Sequence, residues 1–255
     1  MRAKSPKDQR RLYGDLAWTW PIISPLEHSF EEAGEFWWTM RTFSRIEVNT
    51  LLDLGCGGGH NDYTLKKYFQ VTGIDISESM LALARRLNPE VTYCPGDMRS
   101  VRLEEQFDAV LIADSIAYML SVEDLQAAFM TAFVHLKPGG VFCTYAEVTK
   151  ERFQQNHTRS STYTGDGATI TLVENSFDPN PADTTYENTF IYLIRRGGRL
   201  SIETDRHLGG IFPEQTWTGL LKAVGFEVAQ TTFSGGDYPV FVGIKPEIKP
   251  VTVIP

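Results

Sequence analysis

Val48-Asn49-Thr50-Leu51-Leu52-Asp53-Leu54-Gly55-Cys56-Gly57-Gly58-Gly59-His60 decides how this chain folds. A short apolar run that ends in clustered glycines reads as a parallel strand buried on both faces, followed by a sharp turn into a helix. Glycine has no Cβ, so the backbone bends tightly there and lets a ligand come into contact with it. Downstream, the spacing predicts a helix over 61–69, with Leu65, Tyr68 and Phe69 on one face, and a second strand over 71–76. Ser77 is placed to cap a helix in which Met80, Leu83, Ala84 and Leu87 follow helical spacing, with Glu78 at its positive end and Asn88-Pro89 as its stop. Strands are expected over 91–94 and 107–113. Ser121 and Asp124 form a capping pattern for a helix with Leu125, Ala128, Phe129, Ala132 and Leu136 on one stripe, and Lys137-Pro138-Gly139-Gly140 reads as its end before a fifth strand over 141–146. Strands alternating with helices predict a doubly wound, mostly parallel α/β sheet with right-handed crossovers.

The alternation lapses after residue 150. Segments 169–174, 184–195 and 199–207 read as strands, the last two joined by a Gly197-Gly198 hairpin turn, and together they form an antiparallel β insertion. Regular order returns with a helix over 213–224 and strands over 226–233 and 239–244, which brings the main sheet to seven strands. Upstream, four of the five tryptophans (Trp18, Trp20, Trp37, Trp38) crowd into the first 45 residues, broken by Pro21 and Pro25 and followed by a helix over 27–45. This segment is either a packed cap or a lid over a ligand. The expected divisions are a cap or lid at 1–45, an α/β core at 46–149, the insertion at 150–210, a return to the core at 211–246 and a tail at 247–255.

Composition narrows the function. The 255 residues are 42% hydrophobic and 22% charged with a formal charge of −8, so a globular protein that repels polyanions is expected, with no nucleic-acid partner. Stretches free of charge, such as 125–136, fall short of the roughly 20 apolar residues that span a bilayer, so no membrane partner is expected. The opening residues lack the apolar core of a secretion signal. Three cysteines (Cys56, Cys94, Cys143) at wide spacings suggest neither a disulfide framework nor a metal site, and a reduced, cytoplasmic chain is expected.

The chemistry sits at the strand ends. A dinucleotide fingerprint needs a glycine where His60 stands, so that spacing fails. Instead Asp53 precedes the glycines, and a carboxylate there repels phosphate but attracts a cation. Asp75 ends the second strand, 22 residues on, where a carboxylate accepts both hydroxyls of a ribose. Asp97, in Pro95-Gly96-Asp97-Met98, can accept from an adenine amino group, and Met80 can supply an apolar contact for the ring. A ligand with ribose, adenine, a positive end and no phosphate is S-adenosylmethionine.

Five segments, 51–59, 71–77, 94–98, 107–115 and 136–141, resemble in order and spacing the class I S-adenosylmethionine-dependent methyltransferases. The resemblance implies that Asp53, Gly55, Cys56, Gly57 and Gly59 hold the methionine part, Asp75 with Ile76 the ribose side, and Met80, Asp97 and Met98 the adenine. It places Ala113 to Ser115 beside the sulfonium. Leu12-Tyr13-Gly14-Asp15-Leu16-Ala17 and the segment Glu203 to Phe212 are similar to their counterparts in the small-molecule branch, loosely the aminodeoxysugar N,N-dimethyltransferases. In that group an N-terminal tyrosine, here Tyr13, lies beside the methyl donor. Where the group carries Ser-Ile-Gly-His-Leu, this chain has Ser115-Ile116-Ala117-Tyr118-Met119.

The expected function is methyl transfer to a small-molecule acceptor, an amine first and a hydroxyl second. A non-catalytic module that binds S-adenosylmethionine is the alternative. Tyr13, Tyr118, Glu147 at the end of the fifth strand, and His207 are the candidate catalytic residues. A monomer or homodimer is expected.

Overall fold

The computed structural model describes residues 9–247, so the tail expected at 247–255 lies almost wholly outside the described residues. The α/β alternation emerges as expected. Strands β1 (Thr50–Leu54), β2 (Gln70–Asp75), β3 (Thr92–Pro95), β4 (Phe107–Ile112) and β5 (Leu136–Tyr145) are parallel. The antiparallel pair β10 (Glu227–Thr232) and β11 (Pro239–Ile244) completes a seven-stranded sheet of order β10-β11-β5-β4-β1-β2-β3. Between them the chain inserts a second, antiparallel sheet of β6 (His157–Gly165), β7 (Ala168–Phe177), β8 (Thr185–Arg196) and β9 (Arg199–Gly210).

Strand alternation divides the apolar side chains of the main sheet between two layers. Leu52, Leu54, Val110, Ile112 and Phe142 pack under α5 (Val122–His135) and α6 (Glu214–Val224). Leu51, Ala109, Leu111, Val141 and Cys143 pack under α2 (Ser29–Phe43), which contributes Ala33, Phe36 and Met40. The N-terminal residues Leu12, Leu16, Ile22 and Ile23 instead cover the inner face of the antiparallel sheet, against Ile170, Leu172, Tyr192 and Ile194. Residues 9–45 therefore belong partly to the core and partly to the second sheet. The short α1 (Trp20–Ile23) lies between the two.

Ser77 caps α4 (Glu78–Leu87) by accepting from Met80 N, and Ser121 caps α5 by accepting from Asp124 N. Gly197 and Gly198, both at positive φ (56° and 78°), make the turn between β8 and β9. Three expectations are corrected. α3 spans only His60–Leu65, and Tyr68 is exposed against Trp37 rather than buried with Leu65 and Phe69. Residues 137–140 do not end a helix before a separate strand: α5 stops at His135, Leu136 already belongs to β5, and the proline-glycine run is an irregularity within that strand. A Cβ at Gly140 would lie 2.7 Å from the Asp108 carbonyl oxygen, which explains why glycine is needed there. Strand β6 was unforeseen because His157-Thr-Arg-Ser-Ser-Thr-Tyr-Thr-Gly165 has almost no apolar alternation. It is a polar edge strand. Among the described residues no helix is long and apolar enough to cross a membrane.

Asp108 fastens the entry to β1. Its Oδ2 accepts from Asn49 N, Thr50 N and Thr50 Oγ1 at 3.0, 2.9 and 2.9 Å, and its Oδ1 from Lys137 Nζ at 2.8 Å. Burial works to raise the Asp108 pKa, but these donors outweigh it and hold the carboxyl below the ordinary aspartate value. Its contribution to stability is present above that value and lost as pH falls through the folded-state pKa. Asp108→Ala is expected to cost about 2–3 kcal/mol at neutral pH, because it leaves buried donors unpaired. Denaturant unfolding measures it, and a loss below 0.5 kcal/mol would contradict it (roughly the scatter of neutral substitutions).

Candidate active site

The chain runs outward in opposite directions from β1 and β4, so a crevice opens at their carboxyl ends, the usual ligand position in an open α/β sheet. A cavity of about 440 Å³ lies there, large enough for a nucleoside-sized molecule. Its floor is the glycine turn. Gly55 N and Cys56 N both donate to Ile74 O, at 2.6 and 3.0 Å, and Gly55 and Gly57 take φ of 80° and 53°. Asp75 braces this turn: its Oδ2 accepts from Gly57 N at 2.9 Å and its Oδ1 from Ser77 N at 2.8 Å. Burial raises the Asp75 pKa, against the lowering effect of these backbone donors. Ser77 Oγ donates to Tyr13 O at 2.6 Å, which ties the N-terminal segment to the start of α4.

Behind the turn lies a buried polar network. Asn88 Nδ2 donates to Gly59 O, and Tyr93 Oη donates to Asp62 Oδ2 at 2.8 Å. Burial pushes Asp62 up to about 6, and Asp53, buried beside it, is raised well above the aspartate range by desolvation and by the Asp62 charge. Asp53 therefore faces the cavity as one of two acids that resist simultaneous ionisation, not as an isolated anion.

Three polar atoms on residues lining the cavity are shut off from water and have no protein partner, Asn61 Oδ1, Trp20 Nε1 and His60 Nδ1, while the Asp53 carboxyl has only that of Asp62 beside it. Buried polar groups left unpaired are costly, so acceptors and a donor gathered at one glycine turn suit a ligand end that carries both kinds of group, such as an amino acid. Further along, Ile76 lines the cavity while 71% exposed, an apolar surface available to a flat ring. These residues fit S-adenosylmethionine: an amino-acid end at the glycine turn, a diol acceptor at Asp75 and an apolar face at Ile76.

The expected site residues do not all lie where the sequence suggested. Asp53, Gly55, Cys56, Gly57, Asp75, Ile76, Met80, Asp97, Met98, Ala113 and Ser115 line the cavity together with Tyr13 and Tyr118. Gly59 instead faces away from the ligand space: a Cβ there would lie 2.7 Å from Asn88 Nδ2 and Tyr93 Oη. Met80 is fully buried, with its methyl group below Gly57 and Gly58, so it supports the turn rather than offering a free face to a ring. Asp97 is held by Arg99 through Nε and NH2, and this partner lowers its pKa. Ser115 Oγ donates to Leu54 O and packs against Gly55, where a Cβ would approach it to 2.0 Å. Sequence reasoning missed Trp20, Glu32, His60 and Asn61. For Trp20 the only signal was the tryptophan-rich opening of the chain.

On the side facing the antiparallel sheet, Tyr13 Oη and Tyr118 Oη are 2.7 Å apart, and Tyr118 Oη is 2.8 Å from His207 Nδ1. His207, 3% exposed, reaches Asp205 Oδ2 through Nε2 at 2.8 Å. His207 thus meets the cavity through its bond to Tyr118 and through the ring of Tyr13, 5.5 Å away between centroids. Glu147 lies beyond the end of β5, exposed and outside the cavity lining but within electrostatic reach of Asp114, and its pKa is raised by partial desolvation and by that charge. Tyr145 Oη donates to Asp114 Oδ1. Glu32 joins this acidic group and is pushed up to about 7 by burial and by Asp114.

An acid whose folded pKa lies above its unfolded value binds extra protons in the folded state, so stability falls as pH rises through the window between the two. For Glu32 that window runs from 4.5 to about 7. Glu32→Gln is expected to flatten the loss of stability across it by on the order of 1–2 kcal/mol, read as Tm against pH. An unaltered slope would contradict the assignment.

Residues 51–140 match the family described as "Methyltransferase domain". The dTDP-3-amino-3,4,6-trideoxy-alpha-D-glucopyranose N,N-dimethyltransferase of Streptomyces venezuelae is 30% identical over 200 residues, 78% of this chain and 84% of that protein. The crystal structure of Streptomyces venezuelae DesVI superposes with a TM-score of 0.80 at 26% identity, covering 94% of this chain and all (100%) of that one. CalS10 of Micromonospora echinaspora, an amino pentose methyltransferase solved with S-adenosylmethionine bound, gives a TM-score of 0.78 at 25% identity, with 96% of this chain and 100% of that chain covered.

Proposed function

The chain belongs to the class I S-adenosylmethionine-dependent methyltransferases, and on that footing we propose that its acceptor is the amino group of a nucleotide-linked amino sugar. S-adenosylmethionine is the methyl donor; bound, it supplies an electrophilic methyl group on a sulfonium sulfur. Asp53, Asn61 and the glycine turn hold its amino-acid end, Asp75 its ribose, and Ile76 and Met98 flank its base. Tyr13 and Tyr118 close the acceptor space on the side of the antiparallel sheet, where Tyr118 bonds His207 of β9.

One observation carries the preference for an amine. Glu32, Asp114 and Glu147 gather near Tyr145 beside the donor cavity, Asp114 and Glu147 still open to water, and partial desolvation comes first among the causes that raise the pKa of each. Acids that cannot all ionise together gain from an incoming cation, so an ammonium is drawn into this chamber in preference to a neutral alcohol. Arg159 on β6, whose Nε and NH2 donate to Glu174, also lowers the pKa of both Asp114 and Glu147, and it stands at the edge of the chamber where an anionic leash such as a diphosphate can compete for it. Positioning supplies most of the acceleration: fixed alignment of nucleophile and methyl group is worth effective molarities of about 10⁵ M or more.

The test is methyl transfer from S-adenosylmethionine to thymidine-diphosphate sugars that differ only in carrying an amino or a hydroxyl group at one ring carbon. N-methylated products from the amino sugars alone support the reading. Transfer to the hydroxyl sugars, or to no sugar nucleotide at all, would overturn it.

A further inference from the structure

We propose that Tyr13, Tyr118, His207 and Asp205 form a proton relay that carries a proton from the acceptor amine out of the cavity and into the base of the antiparallel sheet. The proposal rests on the amine reading above. An amino sugar arrives largely as an ammonium ion, and only the neutral amine has the lone pair that attacks a methyl group. Its proton must leave before attack, and Tyr13, which lines the cavity, presents a hydroxyl that can accept it.

The hydrogen bonds admit one consistent direction. Asp205 is 1% exposed and accepts from Arg11 N at 2.9 Å, Leu12 N at 2.7 Å and Arg206 N at 2.8 Å, so it is built as an anion. His207 Nε2 lies 2.8 Å from the same carboxylate and therefore carries the hydrogen. Nδ1 of the neutral ring is then an acceptor, Tyr118 Oη donates to it, and Tyr13 Oη donates to Tyr118. Tyr13, whose own hydrogen is thus committed, keeps its lone pairs for a donor in the cavity that it lines.

Proton transfer then balances in three concerted hops. The N–H bond of the ammonium breaks as a bond forms to Tyr13 Oη; the Tyr13 hydrogen passes to Tyr118 Oη; the Tyr118 hydrogen passes to His207 Nδ1. Both phenols are restored, the amine is neutral, and the single positive charge has moved to the imidazole ring beside Asp205. No redox partner is needed, and the reverse path returns the proton to water when the cavity next opens. The groups facing this chain are Arg10 over the Tyr118 ring at 4.6 Å, Asp75 and Asp114 toward Tyr13, Tyr186 toward Tyr118, Phe190 against His207, and Tyr192 and Arg11 around Asp205. Burial raises both phenols, so neither replaces histidine as a base near neutral pH. Tyr13 and Tyr118 contact the acceptor space, whereas His207 and Asp205 act through them as positioning and proton-holding residues.

Two readouts test the relay. Nitrogen-15 NMR of the histidine-labelled protein is expected to show His207 protonated at Nε2 and not at Nδ1. The Nδ1 tautomer would overturn the direction of the relay, whatever the acceptor proves to be. In kcat/KM profiles with an amino-sugar nucleotide that the wild type methylates, His207→Gln and Tyr118→Phe are each expected to lose about 100-fold near pH 7. They should recover most of it above about pH 9, where the free amine loses its proton in solution. A merely structural role lowers the rate by the same factor at every pH, and that result, or full activity of His207→Gln at pH 7, would overturn the relay. Failure of the wild type to methylate any amine would instead count against the acceptor assignment, with the tautomer measurement still deciding the relay.

Discussion

Asp75→Ala is expected to weaken S-adenosylmethionine binding by about 10- to 100-fold, the loss of charge-assisted hydrogen bonds worth ~1.5–3 kcal/mol. The site adds a second reason. Asp75 accepts from both Gly57 N and Ser77 N, so it shapes the glycine turn and the start of α4 as well as offering oxygens to a diol. Asp75→Asn keeps one acceptor oxygen and the size of the side chain, and its loss should fall between those of wild type and alanine. Titration calorimetry measures the affinities, and far-ultraviolet circular dichroism shows whether each variant is folded. A folded Asp75→Ala variant with unchanged affinity would remove Asp75 from the site.

Gly57→Val is the second large effect, a loss of binding of more than about 100-fold with the fold retained. A Cβ at Gly57 would meet only the Met80 Cε at 3.6 Å, so the added side chain stands in the ligand space rather than in the core. The neighbouring glycines behave differently. A Cβ at Gly55 would lie 2.0 Å from Ser115 Oγ, and one at Gly59 would lie 2.7 Å from Asn88 Nδ2, so changes there disturb the turn itself. Residue 57 also sits at φ 53°, which costs a branched side chain about 1–2 kcal/mol and lowers Tm by a few degrees. Tight binding by folded Gly57→Val would mean that the donor lies elsewhere.

The core of the fold was legible because its punctuation is chemical. Glycines and acids mark the carboxyl ends of β1, β2 and β3, and Ser77 and Ser121 mark helix starts. Strand β6 was not legible, since an edge strand of threonine and serine needs no apolar face of its own. The start of β5 was misread because Pro138-Gly139-Gly140 normally stops a helix, whereas here it is a kink against Asp108 that only a side chain without Cβ permits. The donor side of the site followed from strand ends, but Trp20, Glu32, His60 and Asn61 reach the cavity from the N-terminal segment and α3, and no local pattern gives that route. Asp97 and Met80 show the converse: the sequence placed them at the cavity, and only the packing reveals that Arg99 and the glycine turn engage them. His207 stood out as a residue type, while its partner Asp205 lies two positions away on the same face of β9 and became meaningful only once Leu12 was seen against it.

A crystal structure with S-adenosylhomocysteine, the donor after its methyl group has left, tests the central claim most directly. The account predicts the ribose hydroxyls at hydrogen-bond distance from the Asp75 carboxylate and the amino-acid end over the turn at Gly55 to Gly57. A nucleoside bound anywhere else, or bound there with Asp75 turned away, would contradict it.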